Sequence, residues 1–186
     1  MMYFVMTGIM SASKELFLKY PNPVFIETGS LHGDGIQQAL DAGFKTIYSI
    51  ELNPEYYEFC VNRFKDILNV HLVFGDSRIV LDDLLRDIDD PITFWLDAHY
   101  CGESICSLLP EIEAIGHHGI KTHTIMIDDL RDLPNYNMGL TVGVLQAKLS
   151  LINSKYMFTF EDGYTNNDIL IAEIEHNIIY PQFEER

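Results

Sequence analysis

The residues with the most chemistry in them are carboxylates that stand at the ends of apolar runs. Glu27 closes "VFI" and is followed at once by Gly29, Ser30, Gly33 and Gly35; Glu51, Asp76, Asp97 and the pair Asp128 and Asp129 each end a later run. A glycine-rich loop lets the backbone pass close to a ligand, and a helix beginning after it offers free N–H groups. Dinucleotide enzymes use such a loop to hold a pyrophosphate. Here the spacing is G-S-L-H-G-D-G rather than G-x-G-x-x-G, and the carboxylate of Glu27 beside it disfavours a diphosphate and suits an ammonium or sulfonium. Glu51 lies 18 positions after Gly33, near the roughly 20-residue separation at which an acidic side chain bonds ribose hydroxyls. The chemistry these residues suit is the holding of a positively charged nucleoside.

Elements are needed to bring those carboxylates to one place, and the hydrophobic period supplies them. "VFIET" (24–28) is a continuous apolar strand. "GIQQALDAGF" carries Ile36, Ala39 and Leu40 at helical spacing with Gly43 as a stop. "TIYSIEL" is a second strand, and "NPEYYEFCVNRF" opens with Asn53 as N-cap and Pro54 at the first helical position, placing Tyr57, Cys60, Val61 and Phe64 on one face. The cycle continues with strand "VHLVFGD", helix "SRIVLDDLLRDI", strand "ITFWLDA", helix "LLPEIEAIG" and strand "HTIMIDD". Strands followed by helices or long crossovers predict an α/β fold, a three-layer, doubly wound, Rossmann-like and mostly parallel sheet covered on both faces. After a further helix, "GVLQAKLSLI", the run "YMFTFEDGYTNNDILIAEI" reads as two strands with a short polar connection, a C-terminal antiparallel hairpin. Ligands of such sheets bind outside the carboxyl ends of the strands, where the five acidic ends gather.

At 186 residues with 47% apolar side chains, the chain suits a single domain, 1–186, with 1–20 as an N-terminal flap or helix and 21–186 as the ligand-binding and catalytic core. Acidic residues outnumber basic ones 28 to 12, for a formal charge of −16. That field repels phosphate backbones and anionic lipid, so neither nucleic acid nor a membrane surface is expected as a partner. Three cysteines, Cys60, Cys101 and Cys106, are an odd and sparse set that fits a reducing, cytoplasmic compartment, and the Cys101–Cys106 spacing is not that of a zinc site. The opening "MMYFVMTGIM" has no basic lead-in and is too short to span a bilayer; it reads as a strand, a helix or a flap. Together with the final "IIYPQFEER" it suits packing on a second copy, as a homo-oligomer, or closure of the monomer.

On these residues the chain resembles the class I S-adenosylmethionine-dependent methyltransferases, over Val24 to about Asp129, with the terminal hairpin as a topological echo. "ETGSLHG" is similar to the E-x-G-(S/T)-x-x-G form of the glycine loop in catechol-type and macrocin-type O-methyltransferases. The resemblance implies S-adenosylmethionine as cofactor. It places Glu27, Gly29, Ser30, Gly33 and Gly35 at the loop and the methionine part, Glu51 and Leu52 at the ribose, and Asp76 and Ser77 of "GDS" at the adenine. Asp97 of "WLDAH" falls near the reacting methyl.

Macrocin-type sugar O-methyltransferases hold a divalent ion between an aspartate after the fourth strand and two consecutive aspartates after the fifth. Asp97, Asp128 and Asp129 are similar in position, which implies Mg²⁺ or a related cation on hard oxygen ligands, orienting a diol and lowering the proton affinity of the attacking oxygen. After Asp97 the chain reads A-H-Y-C-G-E and departs from the D-L-Y run of that pattern, and Asp128 and Asp129 serve equally well as turn or helix caps. His99 has the residue type of a general base near neutral pH and is open also to a loop or metal-ligand role. His117, His118 and His123 fall at the opposite rim and read as a solvated turn, the first two complementing a helix C-terminus. Trp95 reads as core, and Tyr100 and Tyr136 either flank an acceptor or lie on the surface. The expected reaction is in-line methyl transfer to a small hydroxylated acceptor, a sugar hydroxyl on a glycan or nucleotide sugar, with positioning as much of the catalysis. The alternatives are a nicotinamide-dependent oxidoreductase, a metal-dependent hydrolase built on Asp97, His99, Asp128 and Asp129, and a binding module without turnover.

Overall fold

A computed structural model of the chain describes residues 11–98, 106–135 and 139–174. His99, Tyr100, Cys101, Tyr136, "MMYFVMTGIM" and the whole of "IIYPQFEER" lie outside them. Among the described residues seven strands form one sheet: β1 (Val24–Thr28), β2 (Thr46–Glu51), β3 (Val70–Phe74), β4 (Ile92–Leu96), β5 (Thr124–Ile127), β6 (Met157–Glu161) and β7 (Ile169–Glu173). Their order is β3-β2-β1-β4-β5-β7-β6. β1 to β5 run parallel, and β7 is antiparallel to both β5 and β6. The doubly wound sheet and its closing hairpin are those expected from the hydrophobic period.

Among the described residues six α-helices connect and cover the sheet: α1 (Lys14–Lys19), α2 (Asp34–Ala42), α3 (Pro54–Phe64), α4 (Ser77–Leu85), α5 (Leu108–His117) and α6 (Val142–Ile152). Their ends follow local chemistry. Asn53 caps α3, its side-chain oxygen accepting from Glu55 N–H at 2.8 Å, with Pro54 at the first position. Asp76 caps α4 and Thr141 caps α6. Gly43 ends α2 at φ +90, a left-handed conformation that glycine adopts at no steric cost.

Alternation along the strands divides the core in two. Val24, Ile26, Phe94 and Leu96 point to one face, where Leu81 of α4, Ile112 and Ile115 of α5 and Leu145 of α6 pack on them. Phe25, Ile47 and Trp95 point to the other, against Phe17 of α1, Ile36 of α2 and Phe64 of α3. This parity decides which residues at the strand ends can meet. A 3₁₀ helix, Leu130–Asn135, follows β5. It has no signature in the sequence, because its six residues are too few for a period and include Pro134.

The three histidines at the end of α5 and beyond it differ from the solvated turn expected of them. His117 is exposed and pairs with Asp82 at 2.9 Å, but His123 is fully buried. Ile92 N–H donates to His123 Nδ1 at 3.1 Å, the His123 and His118 rings meet at 2.8 Å, and His118 Nε2 reaches Ile88 O at 2.7 Å. One tautomer assignment satisfies the chain: His123 Nε2–H donates to His118 Nδ1, and His118 Nε2–H donates to the carbonyl. Burial, and then the neighbouring His118, push the His123 pKa down to about 4.

Candidate functional site

The winding reverses between β1 and β4, and a cleft of about 660 Å³ opens at the carboxyl ends of the strands there. That volume suits a drug-sized or nucleoside-sized ligand. Gly29, Glu51, Leu52, Asp76, Ser77, Asp97 and Asp129 all line it. A smaller hollow of about 290 Å³ lies at the opposite rim beside His117 and His118. It has no glycine loop, and the ring nitrogens of His118 are already engaged.

Glu51 is held at the wall of the cleft by the backbone. Leu31 N–H donates to its Oε2 at 2.9 Å and Asn53 N–H to its Oε1 at 2.7 Å, so both oxygens are fixed by backbone and keep further lone pairs for a hydroxyl. Leu31 itself sits at φ +46, a conformation uncommon for a leucine. The bond to Glu51 helps to hold the glycine loop in that strained course.

Glu27 is placed differently from the rest. It shares the parity of Phe25, so its side chain lies under the loop rather than in the cleft, 1% exposed. Ser49 Oγ donates to Glu27 Oε1 at 2.7 Å, and Ser30 Oγ meets Ser49 Oγ at 2.5 Å. Burial raises the Glu27 pKa to about 8, Ser49 opposing it and Glu51 adding to it. Gly33 and Gly35 are also behind the cleft. At Gly33, φ +79, a Cβ would fall 2.5 Å from the Phe64 ring, and at Gly35 it would fall 2.2 Å from Glu27 Oε2. Gly29, at φ +88, packs its Cα face on the chain leaving β4, where a Cβ would lie 3.1 Å from Asp97 O. The glycines therefore shape the cleft by letting its walls touch.

On the far wall Asp76 is engaged by Arg78, whose side chain binds both carboxylate oxygens and whose N–H donates at 3.0 Å. These bonds hold its carboxyl below the usual carboxylate range. Arg78 also lines the cleft and is a site residue that the sequence reading missed; a lone arginine after a cap carries no motif. Ser107, Asn53 and Tyr56 complete the wall without having been singled out for it.

At the other end the carboxylates crowd. Burial raises the Asp97 pKa well above its ordinary value, and Asp128 and Asp129 raise it further. Asp128, 2% exposed, is pushed up to about 7 by burial and then by Asp129. Asp129 adopts φ +55, its N–H donating to Asp128 Oδ1 at 2.8 Å. Carboxylate oxygens of Asp128, Asp129 and Asp168 lie within 4.8 Å of one another. Asp168 arrives from the turn before β7 and was not foreseen, since its neighbours are distant in sequence. Arg131 bridges Asp129, at 2.6 Å, and Asp168. The donors are the hard oxygens that a Mg²⁺-like cation takes, but Asp97 of the expected set is not in this group, and Arg131 already neutralises part of the charge on Asp129 and Asp168. His99 lies outside the described residues.

No family model matches the chain, and no curated protein matches it in sequence. Solved structures match it in shape. The SAH-bound methyltransferase PaMTH1 of Podospora anserina has a TM-score of 0.57 at 14% identity, covering 83% of this chain and 73% of its own. The O-methyltransferase of Bacillus cereus in complex with SAH gives 0.57 at 14%, covering 87% and 78%. SAM-bound CalS10 of Micromonospora echinaspora, an amino pentose methyltransferase of calicheamicin biosynthesis, gives 0.57 at 12%, covering 82% and 83%. With its seven-strand order and closing hairpin, this chain has the fold of the class I S-adenosylmethionine-dependent methyltransferases.

Proposed function

We propose that the chain is an S-adenosylmethionine-dependent O-methyltransferase that acts in a reducing, cytoplasmic setting on a small hydroxylated acceptor, a sugar hydroxyl, with a divalent cation assisting. The observation that carries the reading is Glu51, fixed by two backbone N–H groups at the wall of a nucleoside-sized cleft whose other end is crowded with carboxylates. Glu51 accepts the ribose hydroxyls, Leu52 and Tyr56 supply apolar contact, and Asp97 places negative charge toward the sulfonium end. When bound, the donor supplies an electrophilic methyl group. Asp128 and Asp129, with Asp97 as the resemblance implies or Asp168 as the closer neighbour, would hold a Mg²⁺-like cation, which would supply charge to lower the proton affinity of an acceptor hydroxyl. His99 is assigned the hydroxyl proton on its residue type. The sugar is supported by the resemblance to macrocin-type enzymes and by likeness in fold to the amino pentose methyltransferase CalS10.

Calorimetric titration with S-adenosylhomocysteine, NAD and Mg²⁺ tests the reading. S-adenosylhomocysteine is expected to bind and NAD not to; binding of NAD alone would refute the proposal. Mg²⁺ binding that survives Asp128→Asn and Asp129→Asn would remove the cation from these residues. Methyl transfer to a panel of sugars is expected to disappear in Asp97→Ala with the fold intact.

A further inference from the structure

The acidic end of the cleft carries a cation of its own. Arg131 belongs to the 3₁₀ helix after β5, and its Nη1 contacts Asp129 Oδ1 at 2.6 Å and Asp168 Oδ2 as well. Its backbone N–H donates to the other oxygen of Asp168 at 3.1 Å. Nε stands 3.7 Å from Asp132 Oδ2, and the guanidinium carbon lies 4.9 Å from the centre of the Tyr164 ring. One nitrogen thus joins two carboxylates from distant parts of the chain, which is what a metal ion does among hard oxygens.

The carboxylates need such a partner. Oxygens of Asp128, Asp129 and Asp168 come within 4.8 Å of one another, and the Asp168 side chain is closed to solvent. Like charges gathered out of water call for a counter-charge close by. A divalent cation would answer the same need at the same carboxylates, but it and the guanidinium are both positive and repel each other at that range. The structure lets one leave for the other. The Arg131 side chain is 31% exposed, so its head has a way out to water. Asp168 stays in place without it, because the N–H groups of Arg131 and of Thr165, the latter at 3.3 Å, hold its two oxygens from the backbone.

We infer that Arg131 is a tethered counter-ion whose guanidinium competes with a divalent cation for Asp129 and Asp168, and that it thereby sets the affinity of the acidic end for the metal. This rests on the cation reading of those carboxylates and goes beyond it in naming what opposes the metal.

Mg²⁺ alone is the probe. Its dissociation constant is measured by calorimetry on the wild-type chain, on Arg131→Gln and on Arg131→Lys, and each protein is melted by circular dichroism in a chelator and in saturating Mg²⁺. Arg131→Gln is expected to bind Mg²⁺ about tenfold more tightly, the change that follows if the guanidinium is seated in roughly nine molecules of ten. In the chelator it is expected to melt below the wild type, its carboxylates facing one another without a counter-charge, and Mg²⁺ is expected to restore it. Folding of Arg131→Gln in Mg²⁺ only would be the same restoration. Arg131→Lys keeps a tethered positive charge and is expected to stay close to the wild type in both measurements; affinity as high as that of Arg131→Gln would mean that charge is not what competes, and would overturn the inference. Equal Mg²⁺ affinity in the wild type and Arg131→Gln, or a loss of stability or of folding that Mg²⁺ does not restore, would overturn it too and leave Arg131 a strut between the loop after β5 and the turn before β7, with the cation reading intact wherever the wild type binds Mg²⁺. Binding of Mg²⁺ by neither protein would remove the cation reading along with the inference.

Discussion

Gly35 and Glu27 show how one side chain can require the absence of another. A methyl group at Gly35 would lie 2.2 Å from the Glu27 carboxylate, which is buried and tied to Ser49 and has nowhere to retreat. Gly35→Ala is therefore expected to cost about 1–3 kcal/mol in urea unfolding, the range for forcing extra volume into a packed interior. Gly43→Ala meets open space and suffers only from its left-handed backbone, φ +90, so its cost should be nearer 1 kcal/mol. Glu51 makes a different demand. Glu51→Gln keeps the shape but offers one acceptor where Leu31 N–H and Asn53 N–H need two, so the loop and the ribose contact loosen together. Weakening of S-adenosylhomocysteine by about tenfold or more in calorimetry is expected; unchanged affinity would take Glu51 out of the site.

Among the elements, the strands were the most legible part of the sequence. Each parallel strand is a short apolar run closed by an acidic or turn residue, so its carboxyl end is marked by the residue that ends it, and Glu51, Asp76 and Asp97 could be read as one rim. Which side of the sheet a strand-end residue faces was not legible. Glu27 shares the rim but points beneath the loop, because parity sets it with Phe25 against α2. Asp168 and Arg131 meet across 37 positions, and no local pattern announces such a pair. The His118–His123 bond is another case: the turn is polar in composition, yet it folds one ring wholly inside. Its consequence is a titration. His123 binds its proton at about 4 when folded and near 6.5 when unfolded, so the unfolded chain takes up more protons between those values. The stability that neutral His123 contributes is full above pH 6.5 and is lost as pH falls toward 4. His123→Asn should flatten that part of the melting profile; an unaltered acid slope would mean that the rings are not the cause.

At the scale of the whole molecule, buried carboxyls outnumber buried imidazoles and set the overall trend. Glu27 at about 8 and Asp128 at about 7 hold protons in the folded chain that the unfolded chain, with values near 4.5 and 3.8, has released. Their contribution is complete below those unfolded values and is lost as pH rises through 7 and 8, which outweighs the single opposing histidine. The ligand-free chain is thus expected to melt at a higher temperature at pH 5 than at pH 8, the formal charge of −16 acting in the same direction. A bound cation or sulfonium should narrow the difference, and a profile that rises toward pH 8 would contradict the burial of these groups. The position of β7 matters in another way. Among the described residues it is the last strand in sequence, yet it lies between β5 and β6 rather than at the margin. During synthesis on the ribosome, the apolar flank of Thr124–Ile127 must wait uncovered until the final hairpin has emerged to be inserted beside it. Completion of the sheet is therefore a late event, and a chain stopped short of Ile169 carries an open, sticky seam through its middle.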